Sequence, residues 1–207
     1  MKELKVRLTF TEEVLGTASG DPEIHREFIA SKAPDALSRE DEVAAVGVEE
    51  VVEKSKTVFP RNADGNPALY DYQIKGFFKD SCSVLNRLSG KDESGKKKPA
   101  NESGKLMAFK KIIDGLIFVK PRMIPLVFDG EIGSCQRPLR APTAQGERVA
   151  LANSETVPAG TTVEFTVVLF DPSHEKAVRE WLDYGQWRGI GQWRNSSKGR
   201  FVWEEVA

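Results

Sequence analysis

The chain opens with a regular alternation of apolar and polar residues. The alternation runs from Leu4 to Phe10, and a period of two predicts a strand with one buried and one exposed face. The same pattern returns from Val163 to Leu169, and Phe201–Trp203 has the composition of a last short strand. The chain is therefore predicted to begin and end in the same kind of structure, a half-buried sheet.

Two segments between these strands have their apolar residues at helical spacing. The apolar residues between Ile74 and Leu88 fall on one broad helix face and predict a long helix that ends at Ser89-Gly90. The Asp171-Pro172-Ser173 run predicts the cap of a second helix, which ends at Gly185. Three shorter elements are predicted between them: a helix at Leu106–Ile113 and strands at Leu116–Lys120 and Ile124–Phe128.

With the insertions removed, the order of these elements is close to strand, helix, two strands, helix and strand. This order predicts the α+β class and a ferredoxin-like β-α-β-β-α-β core with long insertions. We expect one domain over residues 1–207, with an insertion at about 17–70 and a mobile, polar loop at about 90–105. The segment from Cys135 to Ala150 is predicted to be irregular and hairpin-like.

Composition narrows the classes of protein that remain. The 207 residues are 40% hydrophobic and 29% charged, with a net charge of -1, so bulk charge does not predict a coat on nucleic acid. No apolar run is long enough to cross a bilayer, and no signal peptide is recognisable. With only Cys82 and Cys135, both in structural contexts, we expect a reduced, cytoplasmic protein that does not contact membranes.

The basic residues are concentrated in a few places, most clearly in the segment Gly189–Phe201 and the arginine before it. Glycines allow a backbone to approach a phosphate closely, cations supply charge, and tryptophans stack on bases. The alternative is that the glycines form a tight turn while Trp187 and Trp193 fill the core, and we expect at least one of the two to be buried. The candidate RNA contacts here are Arg188, Gly189, Gly191, Trp193, Arg194, Lys198 and Arg200.

Three separated segments together suggest a family. They are a Lys-Gly pair within Tyr72–Asp80, a Pro-Ala-Gly-Thr turn within Glu155–Phe165, and the glycine-rich stretch before the last strand. In this order they resemble the RAMP superfamily, and most of all the RNA-binding backbone subunit of CRISPR effector complexes. The serines that usually precede the Lys-Gly pair and the usual glycine-loop pattern are absent, which indicates a divergent relative. A phage origin is one hypothesis for it.

The resemblance also implies RNA contacts outside the glycine-rich stretch. Lys75 and Gly76 are placed at the opening of the first long helix, where free N–H groups favour a phosphate, with Lys79 one turn later. Without the resemblance, a solvated helix face is an equally good interpretation. Arg137, Arg140 and Arg148 lie in the predicted irregular segment, and they either hold a nucleic-acid backbone, as inserted hairpins of the family do, or only decorate a hairpin.

Catalysis has little support in the sequence. His25 and His174 are isolated, and no zinc spacing, P-loop or nucleophile-elbow serine is present, so we expect no cofactor and no metal site. RNA-cleaving relatives of the backbone subunit use an acidic residue after the first strand, for which Asp21 and Asp35 are the candidates. The alternative is that Asp21 caps a helix.

Three functional hypotheses follow. The first is a non-catalytic protein that contacts the phosphate backbone of single-stranded, guide-like RNA and assembles along it, with other copies or with CRISPR subunits. The second is a decoy or inhibitor that engages a CRISPR or other defence complex. The third is a metal-dependent endoribonuclease that acts through Asp21 or Asp35.

Overall fold

The computed structural model describes residues 1–20, 56–91, 97–143 and 146–206. The described residues contain four helices, α1 (Asp71–Leu85), α2 (Glu102–Lys105), α3 (Phe109–Leu116) and α4 (Glu175–Arg188), and two 3₁₀ turns, Pro172–His174 and Arg194–Ser196. Their strands are β1 (Lys2–Phe10), β2 (Val14–Leu15), β3 (Ala18–Ser19), β4 (Thr57–Val58), β5 (Ala68–Tyr70), β6 (Ser89–Lys91), β7 (Lys97–Pro99), β8 (Ile117–Lys120), β9 (Met123–Pro125), β10 (Gly133–Thr143), β11 (Gly146–Val157), β12 (Thr162–Leu169) and β13 (Phe201–Glu205). No helix in these ranges is both long and apolar enough to cross a membrane.

The chain divides into two compact units. The first contains Met1–Val14, Pro60–Gly130 and Pro158–Ala207, and the second contains Leu15–Phe59 and Glu131–Val157. Each unit has its own sheet. Helix α1 and the Gly189–Phe201 segment both lie in the first unit.

The sheet of the first unit has the ferredoxin-like topology that the element order predicts. Its strand order is β13-β1-β12-β8, and every neighbouring pair is antiparallel. In the β-α-β-β-α-β sequence these are the fourth, first, third and second strands, which is the arrangement of that motif. The α+β, ferredoxin-like prediction is therefore confirmed.

One face of this sheet is buried under helices α1 and α4. The alternating residues from Leu4 to Phe10 of β1 are buried, as are those from Val163 to Leu169 of β12, so the period of two in the sequence marks the core. Aromatic rings join the two helices: Phe78 of α1 lies 5.5 Å from Trp181 of α4, centroid to centroid. Rings at this distance stabilise the contact beyond the area that they bury.

Helix α4 continues past the glycine at which it was predicted to end. Gly185 lies inside the helix. The residue is a glycine because the ring of Phe201 packs against its Cα, and an ideal Cβ there would lie 2.1 Å from Phe201 Cζ. The helix ends at Arg188, and Gly189, with φ +74°, is the residue that follows it. The predicted end at Gly185 is wrong because a packing glycine resembles a C-terminal glycine in the sequence.

Helix α1 has different ends from those predicted. Its first turn is closed by a capping box, in which the backbone N–H of Tyr70 donates to Gln73 Oε1 at 2.6 Å. It ends at Leu85, and Leu88, which was predicted to extend its apolar face, is exposed. Lys75 and Gly76 therefore lie in the second turn, not at the helix N-terminus.

The segment predicted as a loop at about 90–105 contains regular structure in its described part. Strands β6 and β7 pair, and α2 follows them. The Glu180 carboxylate of α4 accepts the backbone N–H of Glu102 at 3.1 Å and that of Ser103 at 2.9 Å, and Trp181 Nε1 donates to Ser103 Oγ at 2.9 Å. Polar contacts hold this segment, so the hydrophobic pattern did not reveal it.

The second unit is built on a long hairpin. Strands β10 and β11 pair from Gly133 opposite Thr156 to Thr143 opposite Gly146, and the sheet order is β10-β11-β4-β3. The hairpin prediction is confirmed, but the prediction of irregular structure is wrong. Arg137 lies in β10, is 7% exposed, and donates to Ser154 Oγ at 3.4 Å, and the backbone of Arg140 lies in the same strand.

Candidate nucleic-acid interface

The exposed face of α1 presents two lysines around a glycine. Lys79 lies four positions after Lys75 and three positions after Gly76, which puts each pair on one side of the helix. The predicted placement of Lys75 and Gly76 at the helix N-terminus is wrong, because the helix begins at Asp71 and its free N–H groups lie in the turn before them. Phosphate binding by these two residues stays a prediction. Any anion binding here depends on the lysine charges and on the shape of the helix surface.

Both lysines are directed toward α3, and Lys75 also contacts β8. Lys75 Nζ donates to the Asp114 carbonyl oxygen at 3.2 Å and lies 4.9 Å from the centroid of the Phe118 ring. Burial lowers the pKa of Lys75 below its ordinary value of 10.5. Lys79 Nζ lies 2.6 Å from Asp114 Oδ1. The two ammonium groups are thus fixed beside each other at one edge of the fold.

Among the described residues, no close contact requires a glycine at position 76. An ideal Cβ at this position meets none of their atoms within 4 Å, and its φ is not in the left-handed region. A glycine inside a helix costs about 0.5–1 kcal/mol relative to alanine. This residue therefore lowers helix stability while leaving the backbone open to a close approach from outside.

The glycines of the Gly189–Phe201 segment, in contrast, are required by the fold. Gly189 has φ +74° and Gly199 has φ +70°, a region that favours glycine. The Ile190 N–H donates to the Gly199 carbonyl at 2.9 Å, and a Cβ on Gly199 would lie 1.8 Å from the Ile190 carbonyl oxygen. Gly191 also has positive φ, +92°. The tight-turn interpretation accounts for these glycines without a ligand.

The cations of this segment all border α1 or the end of β1. Arg188 Nε and Arg194 Nη1 each donate to Asp80 Oδ2 at 2.8 Å, so one carboxylate oxygen joins both guanidinium groups. Lys198 Nζ lies 2.5 Å from Glu13 Oε1. The backbone carbonyl of Arg200 accepts the Thr11 N–H at 2.8 Å. The Arg200 Nε is buried and has no hydrogen-bond partner among the described residues.

The tryptophans of this region do not fill the core. Trp187 is 63% exposed and Trp193 is 40% exposed, so the expectation that at least one of them is buried is wrong. Trp181 is the tryptophan of α4 that is buried in the core, whereas Trp187 of the same helix is exposed. Trp187 and Trp193 are aromatic surfaces in a region that also carries arginines, which is typical of single-stranded nucleic-acid sites.

Asp80 connects the two groups of predicted residues. It follows Lys79 on α1 and holds Arg188 and Arg194 from the other segment, so the α1 lysines and the arginines lie on neighbouring surfaces of the first unit. Four other candidates are not brought to this surface by the described structure. Arg137 belongs to the second unit, nothing is described of the Arg140 side chain, and Asp21 and Asp35 lie outside the described residues.

Aromatic residues beside the α1 lysines were not predicted. Tyr70 and Tyr72 stack at 5.1 Å with 17° between their planes, and the guanidinium carbon of Arg122 lies 5.6 Å and 5.5 Å from the two rings. Phe118 and Phe170 form an edge-on pair at 5.4 Å. Tyr72 falls three residues before Lys75 on the helix, which could have revealed it, but Arg122 and Phe170 are brought there only by the fold.

Comparisons with known proteins concern the fold alone. No family model matches the sequence, and no curated protein was found to be similar. A chain of a structure described as the type III-B Cmr-beta complex bound to cognate target RNA has 10% identity and a TM-score of 0.51, and the match covers 100% of this chain and 60% of that one. Cmr6 from Pyrococcus furiosus matches at 13% identity and a TM-score of 0.46, over 97% of each chain. This chain thus spans about 60% of the length of the chain that it matches in the Cmr-beta complex, and the similarity between the two is one of fold.

Proposed function

We propose that this protein binds RNA through the phosphate backbone, with the exposed face of α1 as the primary contact. The observation that carries the proposal is Gly76, an open glycine in the middle of a helix between Lys75 and Lys79 on the same face. A helix surface without a side chain lets a sugar-phosphate backbone come close, and two ammonium groups beside it neutralise the phosphates.

The arginines after α4 extend this contact. Arg188 and Arg194 each have donors beyond those that point at Asp80, since a guanidinium carries five N–H groups. Their side chains and that of Asp80 are about 30% exposed, so a phosphate can reach them. Asp80 lowers the net charge of this cluster, as Asp114 does for the two lysines of α1. Gly191, Trp193, Lys198 and Arg200 remain predicted contacts on the same segment, and Arg137 and Arg140 remain predictions from the family resemblance.

The fold similarity adds a context. The Cmr-beta structure is described as bound to its cognate target RNA, and the RAMP resemblance implies a subunit of a CRISPR complex that assembles along a guide-like RNA. Assembly with such subunits or with other copies of this chain is the finer form of the proposal, and the resemblance is its support. A phage origin, on which no comparison bears, stays a hypothesis.

The two alternatives of the sequence remain, but no described observation favours either. A decoy of a defence complex needs no free RNA affinity, and a ribonuclease needs Asp21 or Asp35, outside the described residues. In the described ranges, no three His, Cys, Asp or Glu side chains are grouped so that they could hold a metal ion.

The test is the salt dependence of RNA affinity. A fluorescein-labelled oligouridine is titrated with the full chain at several salt concentrations, and the anisotropy gives the dissociation constant at each. Three or more phosphate contacts predict a log–log slope of about −2 or steeper, since each single-strand contact contributes about 0.7. No binding at low salt contradicts the proposal, and cleavage of the probe that requires a divalent ion and fails in Asp21→Ala or Asp35→Ala supports the ribonuclease instead.

A further inference from the structure

Three exposed aromatic rings and one half-buried ring lie around the α1 lysines. On one side are Tyr70, Tyr72 and Arg122, and on the other are Phe118 and Phe170, with Lys75 between them; together these six residues are called the aromatic strip. All six belong to the first unit. Tyr72 and Lys75 are three residues apart on α1, and Lys75 Nζ lies over the Phe118 ring, so the strip is continuous.

The Tyr70–Tyr72 side of the strip is held rigidly by backbone pairing. Strand β5 pairs with β9, which places Tyr70 opposite Met123. The Asp71 N–H donates to the Arg122 carbonyl at 3.0 Å, and Arg122 Nη1 donates to Asp71 Oδ1 at 2.6 Å. The stacked rings and the guanidinium above them are therefore fixed before any ligand arrives, although Tyr72 and Arg122 are exposed to solvent.

The Phe118–Phe170 side lies at the edge of the sheet. In β8, Ile117 and Val119 are buried whereas Phe118 is 41% exposed, and Phe170, just after β12, is 56% exposed. The Phe170 N–H donates to the Leu116 carbonyl at 3.0 Å, which keeps the two rings together. Although Lys75 and Phe170 each contact the Phe118 ring, both phenylalanines keep exposed ring surface that a partner can cover.

We propose that the aromatic strip stacks the bases of a single-stranded nucleic acid whose phosphates the α1 lysines hold. Interleaved aromatic rings and cations are the recurring form of such sites, because every base has a π-face and every nucleotide has a phosphate. A base pair buries its faces against its neighbours, so the strip selects unpaired strands over duplexes. The inference rests on the proposed function and adds to it the residues that hold the bases, in unpaired RNA or single-stranded DNA.

Charge complementarity favours a nucleic acid over an apolar protein surface as the occupant. Lys75 and Arg122 lie within 6 Å of three of the four rings, and Lys79 is one turn further along α1. Arg122 and Lys79 already pair with Asp71 and Asp114, so the three cations and two carboxylates leave one net positive charge. Lys75 contacts a carbonyl oxygen rather than a carboxylate. A purely apolar partner would bury this charge without an acidic partner, which is costly, whereas a phosphate pairs with it while the bases lie on the rings.

The experiment compares three labelled probes with the wild-type chain: an oligouridine of about 12 nucleotides, within the range that such sites occupy, an abasic strand of the same length, and a duplex of that length. We expect the oligouridine to bind at least about fivefold more tightly than the abasic strand, since stacking contributes at least that much for one base. Equal affinities for the uridine and abasic strands overturn the inference and leave the phosphate contact standing. Failure of all three probes to bind contradicts the proposed function as well.

Variants locate the stacking. Tyr72→Leu and Phe118→Leu keep an apolar side chain but remove the ring, and each is expected to bring the uridine-to-abasic ratio toward one. Tyr184→Leu, the same change at a partly exposed tyrosine of α4, is the matched control and should leave the ratio unchanged. If Tyr72→Leu and Phe118→Leu alter the oligomeric state in light scattering but not the ratio, the strip is a protein interface and the inference is wrong.

Discussion

Asp80 Oδ2 and Arg194 Nη1 are joined by a 2.8 Å hydrogen bond, and the same oxygen accepts Arg188 Nε at 2.8 Å. The carboxylate thus links α1 to the start and the middle of the glycine-rich segment. It also neutralises part of the charge that the sequence alone assigns to RNA. The pairing gives Asp80 two opposite effects, one on stability and one on RNA affinity.

Asp80→Asn separates these effects. The substitution keeps the shape but removes the charge, so the free energy of unfolding should fall by about 1–2 kcal/mol, because charge-assisted hydrogen bonds are lost. The RNA affinity should rise, and its salt slope should steepen by about 0.7 for each phosphate that a released arginine gains. Urea unfolding and anisotropy titrations measure the two quantities. Asp129→Asn, the same charge change at an exposed position, is the control, and an equal gain in affinity there would mean that the arginines contribute nothing specific.

Gly76→Ala is expected to make the protein more stable and the RNA complex weaker. Alanine relieves the helix of a cost of about 0.5–1 kcal/mol, and its Cβ meets no described atom. The same methyl group prevents the closest approach of a phosphate, and the affinity should fall about tenfold, the equivalent of one charge-assisted hydrogen bond. Gly115→Ala in α3 is the matched control, since its Cβ is also unobstructed and only stability should change. An unchanged affinity for Gly76→Ala contradicts the close approach.

Gly199→Ala should be strongly destabilising whatever the ligand. Its φ of +70° alone costs about 1–2 kcal/mol for a residue with a Cβ. The collision with the Ile190 carbonyl adds about 1–3 kcal/mol, because backbone must move to relieve it. Gly160→Ala provides the comparison, with φ +88° and an unobstructed Cβ, and should lose only the conformational part. Thermal unfolding of the two variants measures the difference; equal losses would show that the turn adjusts at no cost.

Much of the first unit could be predicted from the sequence because its core follows simple periods. The alternation of β1 and β12 and the apolar face of α1 depend only on which side of an element is buried. Helix ends were less predictable: Gly185 packs against Phe201, although in sequence it resembles a helix stop. Nothing local to α2 reveals that Glu180 of α4 holds its first N–H groups.

The part of the candidate site that lies on α1 could also be predicted, because it depends only on a local helical pattern. Lys75, Gly76 and Lys79 stand together in the sequence, so a helical wheel places them on one face. Arg122 and Phe170 reach that face only through the pairing of β5 with β9 and of β12 with β8. The internal pairing of Arg188 with Asp80, over 108 residues of chain, is invisible to any local pattern, and for this reason the sequence overestimates the free charge near Gly189.

The start of α4 should show a defined response to acid. Glu175 accepts Lys2 Nζ at 2.7 Å and Arg179 Nε at 3.0 Å, and these hydrogen bonds hold the pKa of its carboxyl below the ordinary value of 4.5. A carboxyl whose pKa is lower in the folded protein stabilises it fully above pH 4.5, and this contribution is lost as the pH falls through the folded value. Glu175→Gln should therefore lower the free energy of unfolding at pH 7, and the gap from wild type should close below pH 4.5 in urea unfolding. A gap of constant size would remove the ion pairs as its cause.

The most direct test of RNA binding by α1 is the effect of neutralising its two lysines. The double variant Lys75→Gln, Lys79→Gln removes two charges from the proposed phosphate contact, while Lys98→Gln, Lys176→Gln removes two from exposed lysines elsewhere. Anisotropy titrations of labelled oligouridine over a range of salt concentrations compare both variants with wild type. We expect the α1 variant to bind at least about tenfold more weakly, with a salt slope shallower by about 1.4, and the control to keep the wild-type slope. Equal losses in the two variants, or none in the α1 variant, would contradict RNA binding by α1.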